Sequence, residues 1–411
     1  MTNSKRDSLR PRVLDLFAGA GGFSLGFHWA GFQTSVALDF DSLAVESLIA
    51  NYAHLGTLVL EKDLSKFTPD DLDYHLKVKN HPNGFDVIIG GPPCQGWSMV
   101  GRGKLRSLFE KHGAKPKEDP RNKLYQNFLN FVSHFQPKIT VMENVAGMLS
   151  HAGINVADKV AEGLNEAGYN VTWSRINASS YGVPQFRDRL FFVGIRKDLN
   201  VRFEFPKTTK SDGTRLFPLN NVRDAISDLP IIRHGTKEWI RPYSWSPDIS
   251  SYAKRMRRDA NPETIFDHVC RKHNEQDLEA FKIMKQGGWY RDLPKRLKRY
   301  RDDIFEDKYR KLSWAKPSGC ITAHLSRDCY SHIHPSQNRT ISVREAARIQ
   351  SFPDSFYFAG SMGSKFKLIG NAVAPMVAEV IARELKRQVL NRKQAQSTKD
   401  KLYSGEKTYE T

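Results

Sequence analysis

Short apolar runs recur through the first 200 residues and constrain the fold more than any other feature. They are RVLDLF at 12–17, TSVALDFD at 34–41, FDVIIGG at 85–91, KITVMENV at 138–145 and RLFFVGI at 189–195. Between them, SLAVESLIANY (42–52), NFLNFVSHF (127–135) and VADKVAEGLNEAGY (156–169) carry apolar residues at helical spacing. Strands alternating with helices predict an α/β domain with a mainly parallel sheet.

The texture changes near residue 200. Prolines and basic clusters such as KRMRR (254–258) and KRLKRYR (295–301) replace the alternation. Helical patterns resume at VREAARIQ (343–350) and from Ala374 to Leu390. The expected organisation is an α/β domain over 1–200 and a smaller, irregular domain over 201–360, the latter including 339–354. A segment over 361–393 returns to the first domain, and a polar tail covers 394–411.

Lys and Arg total 63 against 45 Asp and Glu, a formal charge of +18. That excess suggests a polyanionic partner, nucleic acid being the usual one; a merely basic protein is the competing reading. The four cysteines, Cys94, Cys270, Cys320 and Cys329, form no C-x-x-C pair and lie near no histidines at zinc spacing. No metal site or disulfide framework is expected, and a reducing compartment is. The N-terminus lacks an apolar signal region, and no run approaches the ~18 apolar residues of a membrane span.

Two turns invite chemistry. After the first strand come Gly19, Gly21 and Gly22, then a helical pattern from Phe23 to Trp29. Such a turn lets backbone approach a ligand closely. The spacing is not the G-x-G-x-x-G of dinucleotide folds, and no Walker lysine follows, so a nucleoside without a phosphate suits it better. Asp39, ending the next strand, can take ribose hydroxyls, and Phe17 or Phe40 can stack on a purine. A plain tight turn is the alternative. The second turn is Gly91-Pro92-Pro93-Cys94. A lone cysteine is most often a small core residue. Here it follows two prolines that end the ladder, at the edge of a parallel sheet where α/β folds place ligands, so a nucleophile stands as the alternative to the core reading.

In order along the chain, DLFAGAGGFSLGF (15–27), GGPPCQGWS (90–98), ENV (143–145), QFRDR (185–189), RTISVREAARIQSFPD (339–354) and GNAVAP (370–375) resemble the motifs of one family. It is the DNA (cytosine-5)-methyltransferases, in their bacterial restriction-modification form. The resemblance implies an S-adenosyl-methionine-dependent methyltransferase sheet of Rossmann-like type with a target-recognition domain. Cys94 would attack carbon 6 of a flipped-out cytosine, making carbon 5 electron-rich enough to take a methyl group. Glu143 would hold a proton at N3 and bind the 4-amino group. Arg189 and Arg187 would contact the base oxygen and nearby phosphate or hold the loop, with Gln185 in the same motif. For S-adenosyl-methionine, Phe17, Gly19, Gly21 and Gly22 would line the pocket, Asp39 would take the ribose and Phe40 would stack on adenine. Asp63 would meet the adenine amino group, Leu124 would touch the cofactor, and Asn371 would support the site.

Double-stranded DNA is the implied partner. The loop 95–121, with Gln95, Ser98, Arg102 and Arg121, would close over the flipped base and grip phosphates. Thr322 and Arg327 would read base edges. Departures from the family pattern are Asp39 where many members have Glu, Trp97 where Phe is common and Ala374 where Pro is common. An RNA-methylating relative and a non-catalytic binder are the rivals. The large basic variable region favours DNA over RNA, and the intact Cys94, Glu143 and glycines favour catalysis. A cytoplasmic, nucleoid-associated monomer is expected, with any cognate restriction endonuclease acting separately.

Overall fold

The computed structural model describes residues 10–82, 84–93, 124–149, 156–243, 249–299 and 309–391. Seven strands form one sheet: β1 (Arg12–Leu16), β2 (Gln33–Asp39), β3 (Leu58–Glu61), β4 (Val87–Gly90), β5 (Ile139–Val145), β6 (Tyr169–Asn177) and β7 (Asp188–Arg196). Their spatial order is β3-β2-β1-β4-β5-β7-β6. The first five pair in parallel, while β7 runs antiparallel to both β5 and β6.

Alternate residues of each strand feed two cores, because successive side chains point to opposite faces. Val13, Ile89, Val141 and Val193 face one cluster; Leu14, Ile88, Met142 and Phe192 face the other. That is why these strands read as unbroken apolar runs. The second face is covered by α3 (Pro69–Val78), α4 (Leu124–Phe135) and α5 (Val156–Glu166), through residues such as Leu72, Phe128 and Val160. The first face takes α1 (Gly22–Trp29) and α2 (Ser42–Tyr52), which precede α3 in the chain.

The remainder joins the first face. Among the described residues it holds α6 (Val222–Ile226), α7 (Ser251–Arg257), an antiparallel pair of β8 (Ile240–Pro242) and β9 (Thr264–Phe266), which flank α7 in the chain, and α8 (Glu275–Ile283). Then come α9 (Val343–Ile349), α10 (Met362–Asn371) and α11 (Pro375–Leu385). All seven residues of α9 are buried, and its apolar ones share a cluster with Val13 and Ile89. The segment 339–354 is thus a bolt between the irregular part and the sheet. A separate aromatic cluster around Phe281, Tyr290 and Tyr309 supports the outer end of the irregular part.

His268, His273, His332 and His334 are 0%, 6%, 3% and 2% exposed in this region. Burial pushes the first three imidazoles down to about 4 and the last to about 3. Their folded pKa values lie below the unfolded value of about 6.5, so unfolding takes up protons between about pH 6.5 and 4. Stability is full above that window and falls as pH drops through it, by up to about 5 kcal/mol per pH unit for four such groups. Urea midpoints measured at pH 7, 6 and 5 should fall steeply over that range; a flat series would exclude neutral buried imidazoles.

Candidate active site

Four strands deliver their carboxyl ends to one edge. Leu16 of β1 lies opposite both Leu38 of β2 and Gly90 of β4, and Gly90 lies opposite Met142 of β5. The chain leaves β1 and β4 toward opposite ends of the sheet, and such a switch point is where open α/β sheets bind ligands.

On the β1–β2 side, the turn passes through left-handed backbone at Phe17 (φ 57°), Gly19 (φ 55°) and Gly21 (φ 95°). Phe17 therefore ends outside the strand predicted to contain it. The Gly19 N–H donates to Asp39 Oδ2 at 2.8 Å, and the Asp41 N–H donates to Asp39 Oδ1 at 2.9 Å. Asp39 thus ties the turn to the end of β2, and burial raises its pKa. The three glycines separate by role. Among the described residues, a side chain on Gly19 would meet nothing within 4 Å, whereas one on Gly21 would strike Tyr52 at 2.5 Å and one on Gly22 would strike the Val373 carbonyl at 2.3 Å. Gly21 and Gly22 are required by packing; Gly19 is not required by packing among the described residues. Phe40 is 63% exposed beside them. Asp63 is exposed, with Oδ1 accepting from the Ser65 N–H and hydroxyl. Leu124 is half-buried at the start of α4, and Asn371 is exposed at the end of α10.

Asp15 escaped the sequence reading. It is buried beneath the turn, accepts from Ser24 Oγ at 2.6 Å and has no partner at Oδ1. Burial raises its carboxyl to about 7. A charged residue inside an apolar strand was the available signal.

On the β4–β5 side, Glu143 is buried, with Oε1 2.9 Å from Arg189 Nε. That N–H is not aligned on the oxygen, so Oε1 accepts no good hydrogen bond. Burial raises the Glu143 pKa, while the charges of Arg189 and Arg187 pull it back. A carboxyl whose charged form burial disfavours takes up a proton more readily than one in water. A side chain on Gly91 would begin 3.4 Å from Glu143 Oε2, in ordinary contact, so the chain entering the Pro-Pro turn passes alongside the acid. Asn144 Nδ2 donates to the Pro92 carbonyl at 3.2 Å, which fixes the chain two residues before position 94. The sequence reading gave Asn144 no role.

The other motif residues brace this wall. Arg187 is buried and donates to the carbonyls of Ile321, Gly370 and Ala372 at 2.7, 3.1 and 2.9 Å. Gln185, 0% exposed, bonds Gln350 and accepts from the Ile321 N–H at 2.8 Å. Gln185, expected only as a member of the same motif, and Arg187, for which holding the loop was one of the expected roles, both brace this wall, and Arg187 also lines the small pocket of Glu143 and Arg189. Thr322 also packs: a side chain on Gly370 would lie 2.2 Å from its backbone carbon. Arg327 is exposed. Cys94, Gln95, Ser98, Arg102 and Arg121 lie outside the described residues.

The seven-stranded sheet with one antiparallel strand thus carries a glycine turn beside an exposed aromatic and a buried acid beside a Pro-Pro turn. The family model of C-5 cytosine-specific DNA methylases matches residues 11–387. The chain belongs to that family and is a DNA (cytosine-5)-methyltransferase. It is 34% identical to a type II methyltransferase of Haemophilus parahaemolyticus, over 90% of this chain and 85% of the relative. It is likewise 34% identical to one of Desulfomicrobium norvegicum, over 91% and 88%. A solved chain described as a DNA modification methyltransferase encoded within an E. coli prophage superposes with a TM-score of 0.72 at 26% identity, covering 93% of this chain and 99% of that one. The Dnmt2 methyltransferase of S. pombe shares the fold, with a TM-score of 0.53 at 17% identity, covering 92% and 99%.

Proposed function

We propose that the protein transfers a methyl group from S-adenosyl-methionine to carbon 5 of a cytosine flipped out of double-stranded DNA, within a short recognition sequence. The observation that carries this reading is the Asn144–Pro92 bond, which holds the approach to Cys94 beside Glu143. The donor side fits as well: the glycine turn at Gly19, the exposed ring of Phe40, and the acids Asp39 and Asp63 suit a nucleoside without a phosphate. Bound there, S-adenosyl-methionine supplies an electrophilic methyl on a sulfonium.

In this reading the Cys94 thiolate bonds to carbon 6, and the ring π electrons shift toward carbon 5 and N3. Glu143 holds the proton at N3 with one carboxyl oxygen and accepts from the 4-amino group with the other. Arg189 keeps that acid in place. Carbon 5 takes the methyl while the sulfonium sulfur keeps the electrons of the broken bond; the carbon-5 proton then passes to water, its electrons restore the 5,6 double bond, and the thiolate leaves with the electrons of the carbon-6 bond. Arg187 and Gln185 hold the wall rigid. The relatives named type II methyltransferases support a place in a restriction-modification system, with the enzyme acting as a cytoplasmic monomer and any endonuclease separately. No helix among the described residues is long and apolar enough to cross a membrane.

Bisulfite sequencing of random-sequence duplex DNA, after incubation with protein and S-adenosyl-methionine, tests the reading. Methylated cytosines in one recurring context are expected; unmethylated DNA beside methylated tRNA would move the substrate to RNA. Glu143→Gln should lower kcat by ~10²–10⁴ while donor binding stays near wild type. A variant within a few-fold of wild type would remove Glu143 from proton chemistry.

A further inference from the structure

A cleft of about 430 Å³ opens on the irregular part, walled by Arg271, Lys272, Arg327, Asp328 and Tyr330, with Met362 at its floor. Three of these residues are cations and one is an acid. The polar groups on the wall are unequally free. Arg271 Nη2 donates to the carbonyls of Leu325 and Ser326 at 2.9 and 2.7 Å, so it braces the turn that carries Arg327. The Tyr330 hydroxyl donates to Asp277 at 2.8 Å. Asp328 Oδ1 accepts the Tyr330 N–H at 3.4 Å, within its own turn. Lys272 and Arg327 are exposed, and no carboxylate among the described residues pairs with either.

We infer that this cleft is a clamp for the phosphate backbone of the duplex, with Lys272 and Arg327 as its gripping cations. The inference rests on the reading of DNA as substrate, and it changes the expectation for Arg327, from reading bases to positioning the helix. A concave wall suits the projecting backbone, whereas base edges lie recessed in a groove and are reached by protruding elements. A compact ammonium beside a guanidinium suits phosphate oxygens, which only accept. The carbonyl braces on the turn hold the charge in place before DNA arrives.

The clamp lies near the chemistry. Arg187 grips the chain at Ile321, and Arg327 follows six residues later. Six residues span at most about 20 Å, so the clamped phosphate belongs within about six nucleotides of the target cytosine.

The test is the salt dependence of binding to a random-sequence duplex between 50 and 200 mM salt, for wild type, Lys272→Ala, Arg327→Ala and Arg327→Lys. Each alanine variant should lower the log–log slope by about 1 and weaken binding on all sequences alike, while Arg327→Lys keeps the slope. The bisulfite context should be the same in all four proteins. Unchanged slopes in the alanine variants would overturn the clamp. So would a context relaxed at one position in both Arg327 variants, since that marks a base reader. Because the slopes are read from binding alone, a protein that clamps DNA yet methylates only RNA would refute the substrate reading and leave the clamp standing.

Discussion

Cys94→Ala is expected to abolish methyl transfer and to leave duplex binding largely unchanged. Carbon 5 of cytosine is a poor nucleophile until a group adds at carbon 6, and a thiolate both adds and leaves readily. The Pro92 carbonyl, two residues before position 94, is fixed by Asn144. Glu143 sits against Gly91 on the same edge, so the described chain leads toward position 94 alongside the acid. The cations that meet phosphate lie elsewhere, at Lys272 and Arg327 in the proposal above, so affinity has no reason to fall with the sulfur. The measurement pairs counts of methylated cytosine with a duplex dissociation constant at fixed salt. Residual turnover in the alanine variant would defeat the assignment of Cys94. Loss of binding together with activity would mean that position 94 shapes the DNA surface.

What the sequence disclosed follows from where each residue sits. β1, β2, β4, β5 and β7 are buried on both faces and announced themselves as apolar runs. β3 and β6 are the two edges of the sheet, and their side chains are largely half-buried or exposed; β3 shows only the three apolar residues Leu58, Val59 and Leu60, and β6 is interrupted by polar residues. The antiparallel setting of β7 depends on a pairing between distant segments, which local pattern does not encode. At the site, Glu143 stood out as an acid ending an apolar strand, and its motif neighbours carried it. The pairing of Glu143 with Arg189 crosses from β5 to β7 and needed the register. Gln185 and Arg187 show the opposite limit: a motif names residue types but not the direction in which they point. Both turn inward, onto the backbone of 321 and of 370–372, and serve the wall.

The same inward turn governs the largest stability effect expected. Arg348, on α9, is 0% exposed. Its guanidinium donates to Asp354 at 2.8 and 2.6 Å, to Asp228 at 2.6 Å and to the Ala225 carbonyl at 3.0 Å. Asp354 also accepts from Tyr243, and Asp228 pairs with Arg257. Arg348→Met would fill similar volume but leave Asp354 buried with no cation of its own. Breaking a buried pair from one side costs about 3–5 kcal/mol, because the remaining charge stays out of water. Arg348 now holds the Asp354 pKa down against burial, so the variant should show it raised. A raised carboxyl accepts a proton as pH falls, and the cost of its stranded charge shrinks with it. The gap in urea midpoint between wild type and variant should therefore be widest near pH 7 and narrow toward pH 5, although both proteins lose stability to histidine protonation over that range. Adding Asp354→Asn to the variant should recover part of the loss at pH 7 and remove most of the narrowing. A gap below about 1 kcal/mol would mean that α9 is held by its apolar contacts alone. A gap that does not change with pH would place the loss in packing and not in the stranded carboxylate.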